Sequence, residues 1–325
     1  MAALPSFVNG ALRAKLENVS RTDLKARAQR ISDSYRSGGT SGVIGSDLDA
    51  LAYAVVRMPA TYAAVRAALV QAIEVVSDFA PRTLLDIGAG PGTATWAACD
   101  AWPSLERATL VDDNLHLLAL AQVTQAPLEV TARRGAIAAA LTDAPGADVV
   151  MASYVLTELP DASLRATLDR LWDNAVHLLV IVEPGTPDGF RRILACREAL
   201  IARGAQIIAP CSHEDRCPLA GAERWCHFNA RLPRSRDHIL AKDANVPFED
   251  EKFSYLVAGK GFTALARGAR VLATPKVDKI AVTLTLCTPD LPEQRRVARG
   301  DKEAYRAAKR LDWGDAVIEN RSRTS

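Results

Sequence analysis

The chain has 325 residues, a length suited to about two domains, and 49% of them are hydrophobic, enough for a sizeable core. Lys and Arg number 40 against 38 Asp and Glu, a net charge of +2, so a polyanion would meet a local basic patch and not a cationic surface. Apolar runs such as 178–182 fall far short of the ~18 residues of a membrane helix, no apolar secretory core follows Arg13 and Lys15, and six cysteines without an export signal point to a reducing compartment.

Residues 1–80 read as a helical cap. Leu12, Leu16, Val19 and Leu24 have helical spacing, and Ser20 with Asp23 has the form of an N-cap and first turn. The run 37–42 is Ser-Gly-Gly-Thr-Ser-Gly, a break. Residues 47–58 are apolar on one face, and Pro59 suits the first turn of a further helix over 60–79. Most of this segment serves packing.

The stretch 83–93 follows. Thr83 to Ile87 reads as a buried parallel strand. Gly88, Gly90 and Gly92 then alternate, and 94–99 reads as a helix. A strand, a glycine loop and a helix N-terminus place backbone N–H groups against a nucleotide-like ligand. The spacing is G-x-G-x-G, with Asp86 two residues before the first glycine. These residues resemble motif I of class I S-adenosylmethionine (SAM) methyltransferases. The resemblance implies that Asp86, Gly88, Gly90 and Gly92 hold SAM.

Apolar strands recur at 108–112, 127–132, 148–153 and 175–182, alternating with helical stretches. The expected fold is therefore α/β, a largely parallel, Rossmann-like sheet of the class I SAM-methyltransferase kind behind the cap. Asp112 lies 24 residues beyond Gly88 at the end of the second strand, where an acid accepts hydrogen bonds from ribose hydroxyls; Asp113 is its rival. Ser153, at the end of the fourth strand, and Glu183, at the end of the fifth, fall at the same edge. The sequence 154–159 occupies the place where methyltransferases line the substrate pocket. A helix over 189–203 carries Cys196, a small core residue like Cys99.

The pattern then breaks. Cys211, Cys217 and Cys226 fall within sixteen residues of polar, proline-flanked sequence. Clustered thiolates suit a metal, and the intervening five and eight residues are not the spacing of a zinc ribbon. The fourth ligand is Cys287, His213 or His227. A strand at 253–257 and a last strand at 277–287 complete the core. Residues 291–325 carry nine Lys/Arg against six Asp/Glu. Arg295, Arg296, Arg299, Lys302, Arg306, Lys309 and Arg310 would fall along a phosphate-facing helix, and Arg231, Arg234 and Arg236 form a second basic patch.

Glu183-Pro184-Gly185-Thr186, the Pro-Cys, Cys-Pro and Trp-Cys-His-Phe run over 210–228, the stretch 248–255 and the closing Leu-Asp-Trp-Gly-Asp at 311–315 resemble the Rsm family of methyltransferase-like proteins of the mitochondrial small ribosomal subunit and their bacterial relatives. The match spans roughly residues 50–315. It implies a class I methyltransferase fold, a role in small-subunit assembly, small-subunit ribosomal RNA as partner, and a [4Fe–4S] cluster on Cys211, Cys217, Cys226 and Cys287, with zinc as the alternative. The expected division is a cap at 1–80, a SAM-binding core at 81–204, a cysteine-rich metal-cluster insertion with final strands at 205–290 and a basic tail at 291–325. The expected protein is a monomer without membrane association, cytoplasmic in a bacterium or in the mitochondrial matrix of a eukaryote. Three functions compete: a SAM-dependent methyltransferase on ribosomal RNA, a non-catalytic assembly factor with the same fold, and a small-molecule methyltransferase. The fourth-strand end carries neither an amino-methyltransferase Asn/Asp-Pro-Pro-aromatic run nor a nucleophilic cysteine. No catalytic residue is therefore named.

Overall fold

A computed structural model describes residues 2–124, 126–263, 267–288 and 292–318. Helices α1 (Ser6–Leu16), α2 (Arg21–Arg36) and α3 (Asp47–Val75) form the cap. The Ser20 hydroxyl accepts from the Asp23 N–H at 3.4 Å, as the spacing predicts. Expectation and structure part at Pro59. Instead of starting a new helix, it lies inside α3, one helix of 29 residues. A mid-helix proline costs ~3 kcal/mol. The burial of seventeen α3 residues, many of them alanine, offsets that cost through close packing. Asp49 ties α3 to α2, accepting hydrogen bonds from Arg27 and Arg30.

The core then alternates as predicted: β1 (Thr83–Ile87), α4 (Thr93–Ala101), β2 (Arg107–Asp112), α5 (Leu115–Gln122), β3 (Glu129–Arg134), α6 (Ile137–Asp143), β4 (Ala147–Ser153), α7 (Asp161–Asn174), β5 (Ala175–Pro184) and α8 (Pro187–Ile201). After these come β6 (Gln206–Ala209), β7 (Phe228–Pro233), α9 (Arg236–Lys242) and β8 (Phe248–Gly259). The main sheet runs β3-β2-β1-β4-β5-β8-β6, with β7 also paired to β8. The pairings among β1 to β5 are parallel, and β8 runs antiparallel to β5. This is a mixed, Rossmann-like α/β sheet.

Strand residues alternate between its two faces. Val149 and Met151 join the cluster that includes α3 and α4, whereas Val150 and Ala152 join the one that includes α7 and α8. Chain order reverses between β1 and β4, so a crevice opens beyond their C-terminal ends.

The last segment departs from expectation. The predicted strand at 277–287 is instead two antiparallel strands separated by a turn at 278–280, and both lie outside the main sheet. A second sheet contains β9 (Ala269–Val271), β10 (Lys276–Val277), β11 (Ala281–Cys287), β12 (Glu293–Ala298) and β13 (Ala316–Val317). Between β12 and β13 lies α10 (Lys302–Arg310), whose Ala308 joins Val271, Val282 and Leu284 in a separate small core. The described part of the expected basic tail is thus a paired strand and a packed helix. Arg295 and Arg296 lie on the strand, and Lys302, Arg306, Lys309 and Arg310 lie on the helix. Among the described residues no helix is long and apolar enough to cross a membrane.

Candidate functional site

At the crevice, the glycine loop closes β1 onto α4. Gly88, Gly90 and Gly92 all take positive φ, at 67°, 52° and 78°. Their roles differ. A side chain on Gly88 would meet Val155 Cγ2 at 2.4 Å, and one on Gly92 would meet the Trp96 ring at 2.6 Å. At Gly90 the nearest atom, Leu117 Cδ1, is 3.8 Å away, so its open side remains available to a ligand. Gly88 and Gly90 line a cavity of 560 Å³ together with Asp86, Asp112, Asp113 and Ser153. Gly92, the remaining predicted cofactor residue, is not among the lining residues; it caps α4 and packs against Trp96.

Buried carboxylates set the loop. Asp86 is fully buried, and its Oδ2 accepts from the Thr95 N–H at 3.1 Å and the Thr95 hydroxyl at 2.7 Å. Its Oδ1 is buried without a hydrogen-bond partner, as is the Ser153 hydroxyl. Asp112 accepts from the Gly90 N–H at 2.8 Å and from the Asn114 N–H at 2.8 Å, so it shapes the loop as well as facing the cavity. Burial raises its pKa. Glu183, fully buried, lies behind the cavity. It accepts from the N–H groups of Leu156 and Thr157, at 2.8 and 3.2 Å, and so fixes the segment after β4.

The cap closes the front. A short 3-10 turn, Ser41–Val43, contributes Ser41 and Gly42 to the cavity wall. Glu158 Oε2 accepts from the Ser41 N–H and hydroxyl, each at 3.2 Å, and the Asn114 amide donates to the carbonyls of Ser41 and Ile44. Sequence reasoning missed Asn114 and Ser41 as site residues, and it placed Glu158 in the pocket-lining stretch 154–159 without its tie to the cap. Their partners lie 70 to 117 positions apart, and only Asn114, an N-cap residue, carried a local signal.

Three of the four predicted ligand cysteines share the loop between β6 and β7, and the fourth comes from β11. Cys211 and Cys217 follow β6, Cys226 precedes β7 and Cys287 ends β11. Burial pushes the Cys226 thiol well above its usual range, and Cys211, Cys287 and Cys217 add to the effect. Cys287 is pushed up to about 12 by burial and by Cys211 and Cys217. Cys226 thus feels each of the other three thiols. As placed, no group of three or more His, Cys, Asp or Glu among the described residues has metal-ligating geometry. Two buried arginines clasp the loop. Arg197 donates to the carbonyls of His213 and Asp215 at 2.7 and 2.8 Å, and Arg270 donates to that of Pro210 at 2.8 Å. Of the rival ligands, His227 is stacked on Trp225 at 5.3 Å, whereas both ring nitrogens of His213 are buried without hydrogen-bond partners. Cys196 is fully buried in the apolar core and Cys99 is half-buried.

Two of the three arginines of the second basic patch are paired with acids. Arg231 makes a bidentate pair with Asp250, both contacts at 2.7 Å, and Arg234 pairs with Glu249 at 3.2 Å. Arg231 faces Asp250 directly across the β7–β8 ladder, a cross-strand relation that sequence spacing does not reveal.

The model of a family described as mitochondrial small ribosomal subunit Rsm22 matches residues 47–318. A human protein, "Ribosome assembly protein METTL17, mitochondrial", is 28% identical over 297 residues, covering 82% of this chain and 62% of its own length. "Rsm22-cox11 tandem protein 2, mitochondrial", of Schizosaccharomyces pombe, is 26% identical over 334 residues, covering 83% of this chain and 43% of its own. The chain thus spans less than two thirds of either relative. A solved structure of magnesium protoporphyrin IX methyltransferase from Synechocystis PCC 6803 with bound SAM is 12% identical, with a TM-score of 0.40 over 74% of this chain and 97% of that one.

Burial holds the Asp86 and Glu183 carboxyls up at about 7. Such a group keeps its proton in the native state where the unfolded chain has lost it. Its contribution to stability therefore weakens as pH climbs from the ordinary values of 3.8 and 4.5 to about 7, and then levels off. Asp86→Asn keeps an acceptor for Thr95 but cannot ionise. The variant should show a shallower fall in melting temperature than wild type between about pH 5 and about pH 7.5. Parallel melting profiles would count against a protonatable Asp86.

Proposed function

The chain belongs to the Rsm22 family, and from that premise we propose that it is a methyltransferase-like protein of small ribosomal subunit assembly that binds SAM in the crevice at the glycine loop. The observation that carries the SAM reading is the pair of buried, unpartnered polar atoms on the cavity wall, Asp86 Oδ1 and Ser153 Oγ. They suit a ligand bearing amino and hydroxyl groups. Gly90 leaves room for close approach, and Asp112 and Asp113 stand where ribose hydroxyls would sit. SAM supplies a methyl group on a cationic sulfonium. The protein's part is to hold that ligand against the loop and to exclude water with the Ser41–Val43 turn. Gly90→Leu would fill the open side and force a branched residue into positive φ. It should abolish calorimetric SAM binding; unchanged affinity would remove the assignment.

Ribosomal RNA is the partner the family premise supports, and helix α10 is the better candidate surface because Arg231 is held by Asp250 and Arg234 by Glu249. Four phosphate contacts through Lys302, Arg306, Lys309 and Arg310 would lose about a hundredfold in affinity between ~50 and ~200 mM salt, as counterions are released. Replacing these four by glutamine should remove most of that salt dependence. If binding of small-subunit RNA is insensitive to salt, or keeps its full slope in the variant, α10 is not the contact.

The cysteine centre fits a [4Fe–4S] cluster by donor chemistry, with zinc as the alternative. Burial and neighbouring thiols raise the pKa of Cys211, Cys226 and Cys287, an arrangement that a cationic centre relieves, and Arg197 and Arg270 offset thiolate charge. Cys211, Cys217, Cys226 and Cys287 would hold it, tying the loop after β6 to β11 in a structural role. Protein supplied with iron and sulfide and purified anaerobically should be brown. Cys226→Ser should bleach it and lower its melting temperature, whereas Cys196→Ser should leave the colour. Colourless wild-type protein with stoichiometric zinc would overturn the cluster assignment.

A second reading, methyl transfer to ribosomal RNA, is favoured by another cavity that shares Tyr154 and Glu158 with the first.

A further inference from the structure

The second cavity has a volume of 810 Å³ and lies between α2, α3 and the segment after β4. Five residues line both cavities: Tyr35, Thr40, Tyr53, Tyr154 and Glu158. The two spaces therefore meet at a common wall of three phenol rings and one carboxylate. We propose that the second cavity is a binding site for a single nucleobase of RNA, held beside the Tyr154 ring with its polar edge toward Glu158. The proposal rests on the first cavity being the SAM site, since that is what gives the shared wall its meaning.

Three independent features point this way. The first is the backbone at Tyr154, which sits at φ 58°. A bulky residue in the left-handed region is strained, and such strain persists only where the surroundings impose it. Here they do. The Tyr154 N–H donates to the Val182 carbonyl at 2.7 Å, and its hydroxyl donates to Glu251 Oε1 at 2.9 Å. Arg57 donates to the same Glu251 oxygen at 3.3 Å, with its guanidinium 5.8 Å from the Tyr154 ring centroid. Asparagine or glycine would occupy this backbone position more easily. The ring itself is what the arrangement keeps in place.

The second feature is the chemistry of the lining. Tyr35 and Tyr53 lie with ring centroids 6.2 Å apart, next to Tyr154 on the shared wall. Aromatic rings and a guanidinium plane are surfaces on which unpaired bases stack. The Glu158 carboxylate, whose Oε2 accepts from Ser41, also lines this cavity and can accept from the edge of a base.

The third feature is the charge of the rim. Arg234 and Lys242 line the cavity and share a single carboxylate, Glu249, at 3.2 and 2.6 Å. Their combined charge exceeds that of their partner by one, whereas Arg36 on the same cavity wall is paired with Asp33 at 3.2 Å and Asp188 adds an acid to the lining. A phosphate attached to a bound base would meet this surplus. A base lies flat in its strand, so this fit requires one that is single-stranded or turned out of the stack.

The test titrates the four ribonucleoside 5′-monophosphates, one at a time, into the full-length protein, with S-adenosylhomocysteine titrated in parallel. At least one monophosphate should bind saturably. Ser32 and Gln29 line only the second cavity, from the partly exposed face of α2. Ser32→Trp should weaken nucleotide binding by about tenfold or more, the loss expected when one stacked base is displaced, and should leave the affinity for S-adenosylhomocysteine unchanged. Gln29→Trp serves as the second variant if Ser32→Trp does not fold, and Tyr154→Gly should abolish nucleotide binding. If no monophosphate binds while S-adenosylhomocysteine does, or if nucleotide binding survives every cavity-filling variant, the nucleobase site is overturned. If the nucleotides bind and respond to the variants while S-adenosylhomocysteine does not bind, the nucleobase site stands and the SAM assignment fails.

Discussion

Buried carboxylates at the strand ends organise this protein. Asp86 ends its run on β1 by gripping the first turn of α4 through Thr95. Asp112, at the end of β2, grips the loop itself through the Gly90 N–H, and Glu183 on β5 grips the segment after β4 through Leu156 and Thr157. Each acid is taken out of water at considerable cost, and each recovers part of it by accepting N–H groups that would otherwise be orphaned. The loops at this edge are thus positioned from behind by groups that a ligand need not touch. The half-used oxygen of Asp86 marks where the scheme leaves capacity for something else.

The crevice is therefore not made by the sheet alone. Its front wall belongs to the cap, through the Ser41–Val43 turn and its bonds to Glu158 and Asn114. Glu158 and Tyr154 belong to the core but face α2 and α3. Sheet and cap depend on one another: the segment after β4 has its hydrogen bonds completed by the cap, and the cap's glycine-rich break has its backbone ordered by the core.

The sequence made the parallel half of the fold legible because its central strands β1, β4 and β5 are buried on both faces and the strands are bracketed by helices. The glycine loop, the strand at 83–87 and the ends of β2 and β4 all stand where spacing placed them. Three features resisted. Pro59 reads locally as a helix start, but the packing of an alanine-rich helix overrides that signal. β6 and β7 flank the cysteine loop, whose chain lacks periodicity, and β9, β10 and β13 have two or three residues each, too short for any pattern. The charge of Arg231 and Arg234 was legible and its neutralisation was not, because Asp250 and Glu249 approach only through strand register. Membership of the Rsm22 family was legible from residues far apart in the chain, since a combination of short motifs is more specific than any one of them.

Arg270 shows what such long-range closure demands of the growing chain. From β9, this one buried guanidinium holds the carbonyl of Pro210, the carbonyl of Gly314 and the side chain of Gln71 on α3. It thereby joins the cap, the cysteine loop and the Trp313 turn at a single point, with Gln71 199 positions away. During synthesis from the N-terminus, α3 and the first five strands emerge long before this residue. They must wait with the Arg270 side of α3 uncovered, and the cysteines of the 211–226 loop emerge before their fourth partner on β11. The last third of the polypeptide therefore acts as a clasp, and until it arrives the earlier elements form a sheet whose edge and thiols are open to solvent and to other chains.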